Sequence, residues 1–134
     1  MKIRTRIVLL SALVTLAGLS ACSTNPPATA GGASIKSNNV TGTVSTQVEV
    51  GVDAAYMAAR AAVDEMRFYL LDSPHDALSG HVNARTADDD KITVDLSRVS
   101  DRITTIDVNA GGPTKTAIAD NLMRRIQTIA RRGM

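Results

Sequence analysis

Aromatic residues are almost absent from this 134-residue chain. They make up 2% of the sequence, Trp does not occur, and Tyr56, Phe68 and Tyr69 are the only three. A carbohydrate-binding or base-stacking surface depends on several exposed rings. The composition therefore argues against both kinds of surface, and it predicts a core built of Ala, Val, Ile, Leu and Met.

Cysteine is also scarce, because Cys22 is the only one in the chain. One cysteine cannot form a disulfide within the chain, so the fold must be stabilised by packing. A long apolar run is missing as well, since the mainly apolar residues 7–18 are fewer than the ~20 that a transmembrane helix needs. These absences exclude a disulfide framework and favour an exported segment over a membrane span.

The formal net charge of +2 does not indicate binding to nucleic acid. Three of the 15 cations, Lys2, Arg4 and Arg6, precede the apolar run at the N-terminus. Without them the chain has 12 cations and 13 anions, a net charge of −1. A nearly neutral domain lacks the long-range field that attracts nucleic acid or anionic lipid. We therefore expect no nucleic-acid partner.

The N-terminal residues have the features of a lipoprotein signal peptide. Three cations followed by a short apolar run are typical of a secretory signal. Leu19, Ser20, Ala21 and Cys22 then resemble a lipobox, in which cleavage falls between Ala21 and Cys22 and the thiol takes a diacylglycerol. We predict a signal peptide over residues 1–21 and a covalent lipid on Cys22. An ordinary secretory signal with a chance cysteine, or an uncleaved anchor, is the alternative.

The residues after the lipobox are small and polar and show no apolar period. They include two consecutive prolines and two consecutive glycines, a composition typical of flexible linkers. We predict a lipidated cysteine and linker over residues 22–39, with the membrane as a partner through the lipid anchor. Ser23 follows the cysteine where an inner-membrane retention signal would have Asp. This favours the periplasmic face of the outer membrane, if the host uses that sorting rule.

Residues 40–134 show the periodicities of a single α+β domain. Apolar residues alternate with polar ones, which predicts strands, over 43–50, 80–86, 91–98 and 102–109. Helical spacing predicts one helix from about 52 to 71 and a second from 113 or 114 to about 131. The order β-α-β-β-β-α predicts a two-layer sandwich, with a mainly antiparallel four-stranded sheet and two helices on one face.

Five segments give the domain its layout. They are the alternating strand that ends near Val50, the Ala-rich helix with 56–59 and 62–63, and the strand segments 80–84, 91–94 and 105–108 before a glycine turn. This layout resembles that of a family of small uncharacterised bacterial lipoproteins. The resemblance implies the fold and a location in the cell envelope, and it offers no catalytic residues.

The polar clusters of the domain carry no recognised catalytic or metal-binding motif. His75, Asp76 and His81 could ligate a metal, but they do not show the fixed spacing of a convergent set of metal ligands. Alternatively, they could serve a hydrolase or transferase of envelope polymers. Residues 88–90 lack a calcium-loop pattern, 111–112 lack a phosphate-loop lysine, and no serine lies in a nucleophile elbow. We expect no catalytic residue, no metal and no cofactor apart from the lipid.

The second helix is amphipathic and carries four arginines near its C-terminus. Its apolar stripe comprises Ile118, Leu122, Ile126 and Ile129, and its polar side comprises Asp120, Arg124, Gln127 and Arg131. Arg124, Arg125, Arg131 and Arg132 could bind an anionic headgroup such as that of lipid A. Alternatively they form a solvated face, because cations complement the C-terminal end of the helix dipole and Asp120 can pair with Arg124.

The first helix is apolar on nearly all sides, so it needs more than one covering surface. Met57, Ala61 and Phe68 lie opposite the stripe that would face the sheet. They form either a partner or self-association surface, or a face that the second helix covers. The sequence as a whole favours a non-enzymatic lipoprotein that binds or scaffolds another envelope component or a second copy. An envelope-polymer hydrolase or transferase and an anionic-headgroup-binding module are the alternatives.

Overall fold

The computed structural model describes residues 35–38 and 40–133. The predicted signal peptide, Cys22 and residues 23–34 and 39 of the predicted linker lie outside the described residues. The elements, in chain order, are β1 (Lys36–Asn38), β2 (Thr43–Val48), α1 (Val52–Glu65), β3 (Tyr69–Asp72), β4 (Ser79–Arg85), β5 (Lys91–Ser100), β6 (Ile103–Asn109), a 3₁₀ turn (Pro113–Lys115) and α2 (Thr116–Arg132). The predicted α+β class is therefore confirmed.

All six strands form one antiparallel sheet in the order β1-β2-β6-β5-β4-β3. Helix α1 carries the chain from β2 to β3, which is the far edge of the sheet. Strands β3 to β6 then return as a meander, and β6 pairs with β2 so that Val44 lies opposite Val108. This pairing joins β1 and β2 to the four-stranded meander of β3 to β6.

One face of the sheet is buried and the other is polar. The buried positions alternate along four strands, as the sequence predicts, and comprise Val44, Thr46, Val48, Val82, Ala84, Ile92, Val94, Leu96, Thr104, Ile106 and Val108. Both helices pack against this face and against each other, α1 mainly over β4 and β5 and α2 over β2 and β6. The core therefore consists of small and medium aliphatic side chains between a sheet and a pair of helices.

The first helix is shorter than predicted, and this corrects the predicted four-stranded sheet. Arg67 adopts a left-handed backbone conformation with φ 56°. The N–H of Phe68 donates to the carbonyl of Val63 at 3.0 Å, and the N–H of Arg67 donates to that of Asp64 at 2.9 Å. This pair of bonds is a Schellman motif, which ends a helix and turns the chain. Residues predicted as the last helical turn therefore form the edge strand β3.

The second strand that the prediction missed lies in the segment assigned to the linker. Residues Lys36–Asn38 pair with β2, with Lys36 opposite Ser45 and Asn38 opposite Thr43. All three residues are exposed, so the strand contributes backbone hydrogen bonds without an apolar period. Hydrophobic periodicity has no means of detecting such a strand.

The second helix lies where it was predicted, but its buried face is broader. Leu122 and Ile126 are buried as expected, together with Ala119, Met123 and Ala130. Gln127, which was expected on the polar side, is also buried, and its Nε2 donates to Oγ1 of Thr46 at 2.9 Å. Pairing of the amide with the hydroxyl offsets the cost of removing both groups from water.

Two glycines allow the β1–β2 turn to approach the loop before α2. Gly42 has φ +69°, and a Cβ at this position would lie 2.2 Å from the carbonyl oxygen of Gly112. No side chain fits at such a distance. Gly111 also has a positive φ, of +83°, but a Cβ there would lie 3.4 Å from its nearest neighbour, the carbonyl oxygen of Lys91.

Gly42 and Gly111 provide a matched pair of substitutions. We expect Gly111→Ala to cost about 1–2 kcal/mol of unfolding free energy, because only the backbone conformation is unfavourable. Gly42→Ala should cost about 3 kcal/mol or more, because the new methyl group also overlaps backbone atoms. Urea denaturation of the two variants measures the difference, and equal losses would contradict the close approach.

Candidate functional site

The three residues singled out as a potential enzyme site line one open cleft. The β3–β4 connection and strands β4 and β5 enclose a volume of about 320 Å³, and His75, Asp76 and His81 all contribute to its wall. Asp95 and Ser97 of β5 line the same cleft. Residues 20 positions apart in the sequence therefore meet at one place on the surface.

His75 is held by packing against an aromatic ring. Its imidazole stacks on the ring of Tyr56 with a centroid distance of 4.0 Å and an angle of 14° between the planes. The Tyr56 hydroxyl donates to the carbonyl of Ser73 at 2.5 Å. Gly80 lies next to this stack, and a Cβ there would be 3.3 Å from Tyr56 Cδ2. The stacking of His75 on Tyr56 thus holds the β3–β4 connection against helix α1.

Asp76 organises the turn that forms the rim of the cleft. Its Oδ1 accepts the backbone N–H groups of Leu78 at 2.7 Å and Ser79 at 2.8 Å. The hydrogen bond from Leu78, and next the one from Ser79, lower the pKa of Asp76 below its ordinary value of 3.8. They do so because they stabilise the carboxylate. The ionised Asp76 side chain therefore stabilises the turn through hydrogen bonds to its backbone.

His81 is paired with a carboxylate that the sequence analysis did not single out. Strands β4 and β5 place His81 opposite Asp95, and Nδ1 of His81 bonds to Oδ1 of Asp95. A histidine oriented by a carboxylate is the base portion of many nucleophilic sites. Ser97 lines the same cleft, and within the described residues no serine hydroxyl donates to His81. The register of the β4–β5 hairpin was the signal that could have identified Asp95.

The polar face of the sheet places a second carboxylate next to this pair. Asp107 of β6 lies opposite Asp95 and accepts a hydrogen bond from the Ser45 hydroxyl. Two carboxylates in directly opposed positions repel each other, and each here has its own polar partner. No group of three or more His, Cys, Asp or Glu side chains arranged to hold a metal ion is found in residues 35–38 and 40–133.

The two remaining loop candidates are engaged in local contacts. In the acidic run, Asp89 pairs with Arg85 at 2.5 Å and Asp90 pairs with Lys115. The N–H of Gly111 donates to the side-chain oxygen of Asn109 at 2.8 Å, so this amide is directed at the protein itself.

The four arginines of α2 do not form one free cationic surface. Arg124 pairs with Asp120 at 2.8 Å, and Arg125 lies 3.4 Å from Glu65 of helix α1. Arg131 and Arg132 are exposed in the last turn, and no ion pair of theirs is recorded in the described part of the chain. Two of the four are therefore available to an anionic ligand without breaking an ion pair.

The three residues proposed as a partner surface are separated by their environments. Met57 is 63% exposed, and Ala61 is partly buried. Phe68 lies beyond the end of the helix, where it is partly buried and packs against the core. The prediction that Phe68 shares a helix face with Met57 is wrong, because the Schellman motif redirects the chain before Phe68.

Three exposed apolar side chains follow one another on the edge strand β3. Tyr69, Leu70 and Leu71 are 70%, 42% and 54% exposed, and among the described residues β3 pairs only with β4. A β-bulge falls between Leu70 and Asp72, where the register with β4 shifts by one residue. Residues 69–71 were predicted to belong to the first helix, so this surface was not predicted.

Comparison with known families identifies the chain's relatives. A family model described as "Protein of unknown function (DUF3568)" matches residues 4–129. The chain belongs to this family. The predicted resemblance to an uncharacterised family is thereby supported, and the match begins before the predicted lipobox. No curated protein matches the chain significantly. None of the helices in the described residues is long and apolar enough to cross a membrane.

Substitution of Phe68 tests whether this residue belongs to the core or to a surface. We expect Phe68→Ala to cost about 2–4 kcal/mol, slightly below the ~3–5 kcal/mol of a fully buried Phe→Ala change. The melting temperature should fall by more than about 8 °C. The exposed Met57→Ala change serves as the control and should leave it within about 3 °C, as measured by circular dichroism. A Phe68→Ala variant as stable as wild type would contradict the packing described above.

Proposed function

We propose that this protein is a lipid-anchored component of the cell envelope that acts by binding another macromolecule. The observation that carries the proposal is the apolar edge of the sheet at Tyr69, Leu70 and Leu71. An exposed strand edge offers backbone donors and acceptors together with side chains, and proteins use such edges to add a strand from a partner.

The anchoring part of the proposal rests on the N-terminal sequence. The cations at positions 2, 4 and 6, the apolar run over 7–18 and the sequence of residues 19–22 fit a lipoprotein precursor. Two or three acyl chains on Cys22 give stable membrane attachment, because each buried CH₂ contributes about 0.8 kcal/mol. The family match over residues 4–129 includes this segment from Arg4 onward.

The binding part rests on the contrast between β3 and the rest of the sheet. Along β2, β4, β5 and β6 the large apolar side chains are mainly directed into the core, and the opposite face presents mostly polar groups. Strand β3 instead exposes three large side chains in succession. Large apolar patches exposed in this way mark interaction sites or aggregation liabilities. A partner that covers β3 would explain why these apolar side chains are exposed.

The two alternatives rest on fewer contacts. An anionic-headgroup site would use Arg131 and Arg132, because Arg124 and Arg125 already have acidic partners. An envelope-polymer hydrolase or transferase would use the His81–Asp95 pair. In that case His75 and Asp76 would only shape the cleft, since one is stacked on Tyr56 and the other is bound by backbone amides.

The anchoring proposal predicts a specific processing defect. Cys22→Ser should remove the site of lipid transfer and leave an uncleaved precursor, because the lipoprotein peptidase acts after the lipid is attached. Mass spectrometry of the membrane fraction should then show residues 1–21 retained. Ser23→Ala is the matched control and should be processed as wild type. A Cys22→Ser product that is cleaved normally and carries no lipid would contradict the anchoring.

The binding proposal predicts that the membrane-anchored protein contacts its partner mainly through β3. A photo-crosslinking residue in place of Leu71 should give a discrete adduct in intact cells, because this side chain lies on the unpaired edge. The same residue in place of Val99, which is 56% exposed on β5, is the control and should give little adduct. Equal labelling at the two positions, or none at either, would reject β3 as the binding surface.

A further inference from the structure

We propose that Lys36, Arg131 and Arg132 lie against the anionic phosphate headgroups of the membrane that holds the lipid anchor. These three cations, called the basic patch below, lie close to the point where the predicted linker enters the fold. The contact would give the anchored domain a fixed membrane-facing end. This inference goes beyond binding at β3, and it rests on the proposed anchor.

The predicted linker enters the described structure beside the C-terminal half of α2. Lys36 of β1 lies opposite Ser45 of β2. Thr46 is the next residue of β2, and its hydroxyl accepts a hydrogen bond from the amide of Gln127 in α2 at 2.9 Å. Arg131 follows Gln127 by four residues, which is about 6 Å along the helix axis. The chain that leads to Cys22 therefore meets the fold roughly one helical turn from Arg131.

The linker and the end of α2 also leave the sheet in the same direction. Because β1 is antiparallel to β2, the residues before Lys36 continue toward the C-terminal end of β2. Helix α2 begins shortly after Gly112, which Gly42 approaches closely just before β2, and it reaches Thr46 through Gln127. It therefore runs toward the C-terminal end of β2 as well. The side of the domain that the anchor holds is the side that carries the last turn of α2.

The cations of the basic patch are available to an external anion. Lys36, Arg131 and Arg132 are exposed, and none of them has an ion pair recorded within residues 35–38 and 40–133. The two arginines nearer the middle of α2 already pair with carboxylates. Glu49, which follows β2, is an exposed anion at the same end. Three cations and this one anion leave a net charge of +2 beside the linker.

The anchor makes a small patch sufficient. Residues 23–34 separate Cys22 from Ile35, and even a fully extended chain of this length reaches only about 45 Å. The anchored domain is thus held near the membrane at a millimolar effective concentration or more. Each Lys or Arg close to an anionic surface favours contact about fivefold, and salt limits this attraction to about 10 Å. The patch therefore orients an anchored domain, although the nearly neutral domain has no long-range attraction of its own.

Energy transfer between the domain and the membrane surface tests this orientation. The full-length lipidated protein is placed in vesicles of phosphatidylcholine, with or without phosphatidylglycerol, that carry an acceptor dye on their headgroups. A donor dye is attached at Thr128→Cys on α2, or at Ala87→Cys in the loop at the other end of the sheet; both positions are exposed. With phosphatidylglycerol present, transfer from position 128 should exceed transfer from position 87. Added salt should reduce this difference, because it screens the attraction.

Removal of charge separates the basic patch from the other cations. Arg131→Gln/Arg132→Gln should lower the ratio of docked to undocked domains roughly 25-fold, at about fivefold for each cation. Arg131→Lys/Arg132→Lys keeps both charges and should dock like wild type. Arg67→Gln/Lys91→Gln is the matched control, because it removes two exposed cations at the other end of the sheet. It should leave the ratio unchanged.

The remaining outcomes overturn the inference. Mass spectrometry first shows whether Cys22 carries lipid, and a protein without lipid rejects the anchor and the orientation together. A lipidated protein that transfers energy equally from both positions rejects the orientation and leaves the anchor intact. The same holds if the difference persists in pure phosphatidylcholine, or in the Gln variant. A Gln variant that melts earlier but docks normally would show that the arginines only complement the helix dipole. Crosslinking at Leu71 tests binding at β3 independently of these results.

Discussion

The left-handed turn at Arg67 is the local feature on which the rest of the fold depends. It ends helix α1 after Glu65 and sends the chain back along the sheet as β3. Because β3 starts at the far edge, the three strands that follow can return one by one until β6 meets β2. Phe68 packs against the core directly after the turn, so burial of its ring stabilises the reversal. A longer helix would remove the edge strand and the wall of the cleft.

Buried polar groups fix how the two helices and the sheet fit together. The core is rich in Ala and Val, which pack well in several arrangements because they are small. Gln127 of α2 bonds to Thr46 of β2, and Thr104 of β6 donates to the carbonyl of Val50 at 2.8 Å. A shift of α2 along the sheet would break the first bond and separate the buried Gln127 amide from Thr46, at a cost of about 1–3 kcal/mol. These contacts add specificity that the aliphatic core lacks.

Elements with a strong hydrophobic period could be predicted from the sequence, and elements without one could not. Strands β2, β4, β5 and β6 alternate between core and solvent, so their ends were predicted to within two residues. Strand β1 is polar throughout. The sequence of β3 reads as a continuation of the helix because Leu70 follows Val63 and Met66 on one helical stripe. The candidate site shows the same limit. His75, Asp76 and His81 were recognised by residue type, whereas Asp95 becomes their neighbour only through the hairpin register.

The position of β3 relative to the point where the chain enters the sheet gives the apolar edge its significance. The chain enters at β1, and β3 is the sixth strand across. Five strand spacings of about 4.8 Å separate the two edges by roughly 24 Å. If the protein is anchored through the residues before β1, the apolar edge lies on the side of the sheet away from its attachment and stays accessible to a second molecule. The polar β1 edge, by contrast, has no apolar side chain to offer. The proposed anchor and the proposed binding surface therefore belong to opposite edges of one sheet.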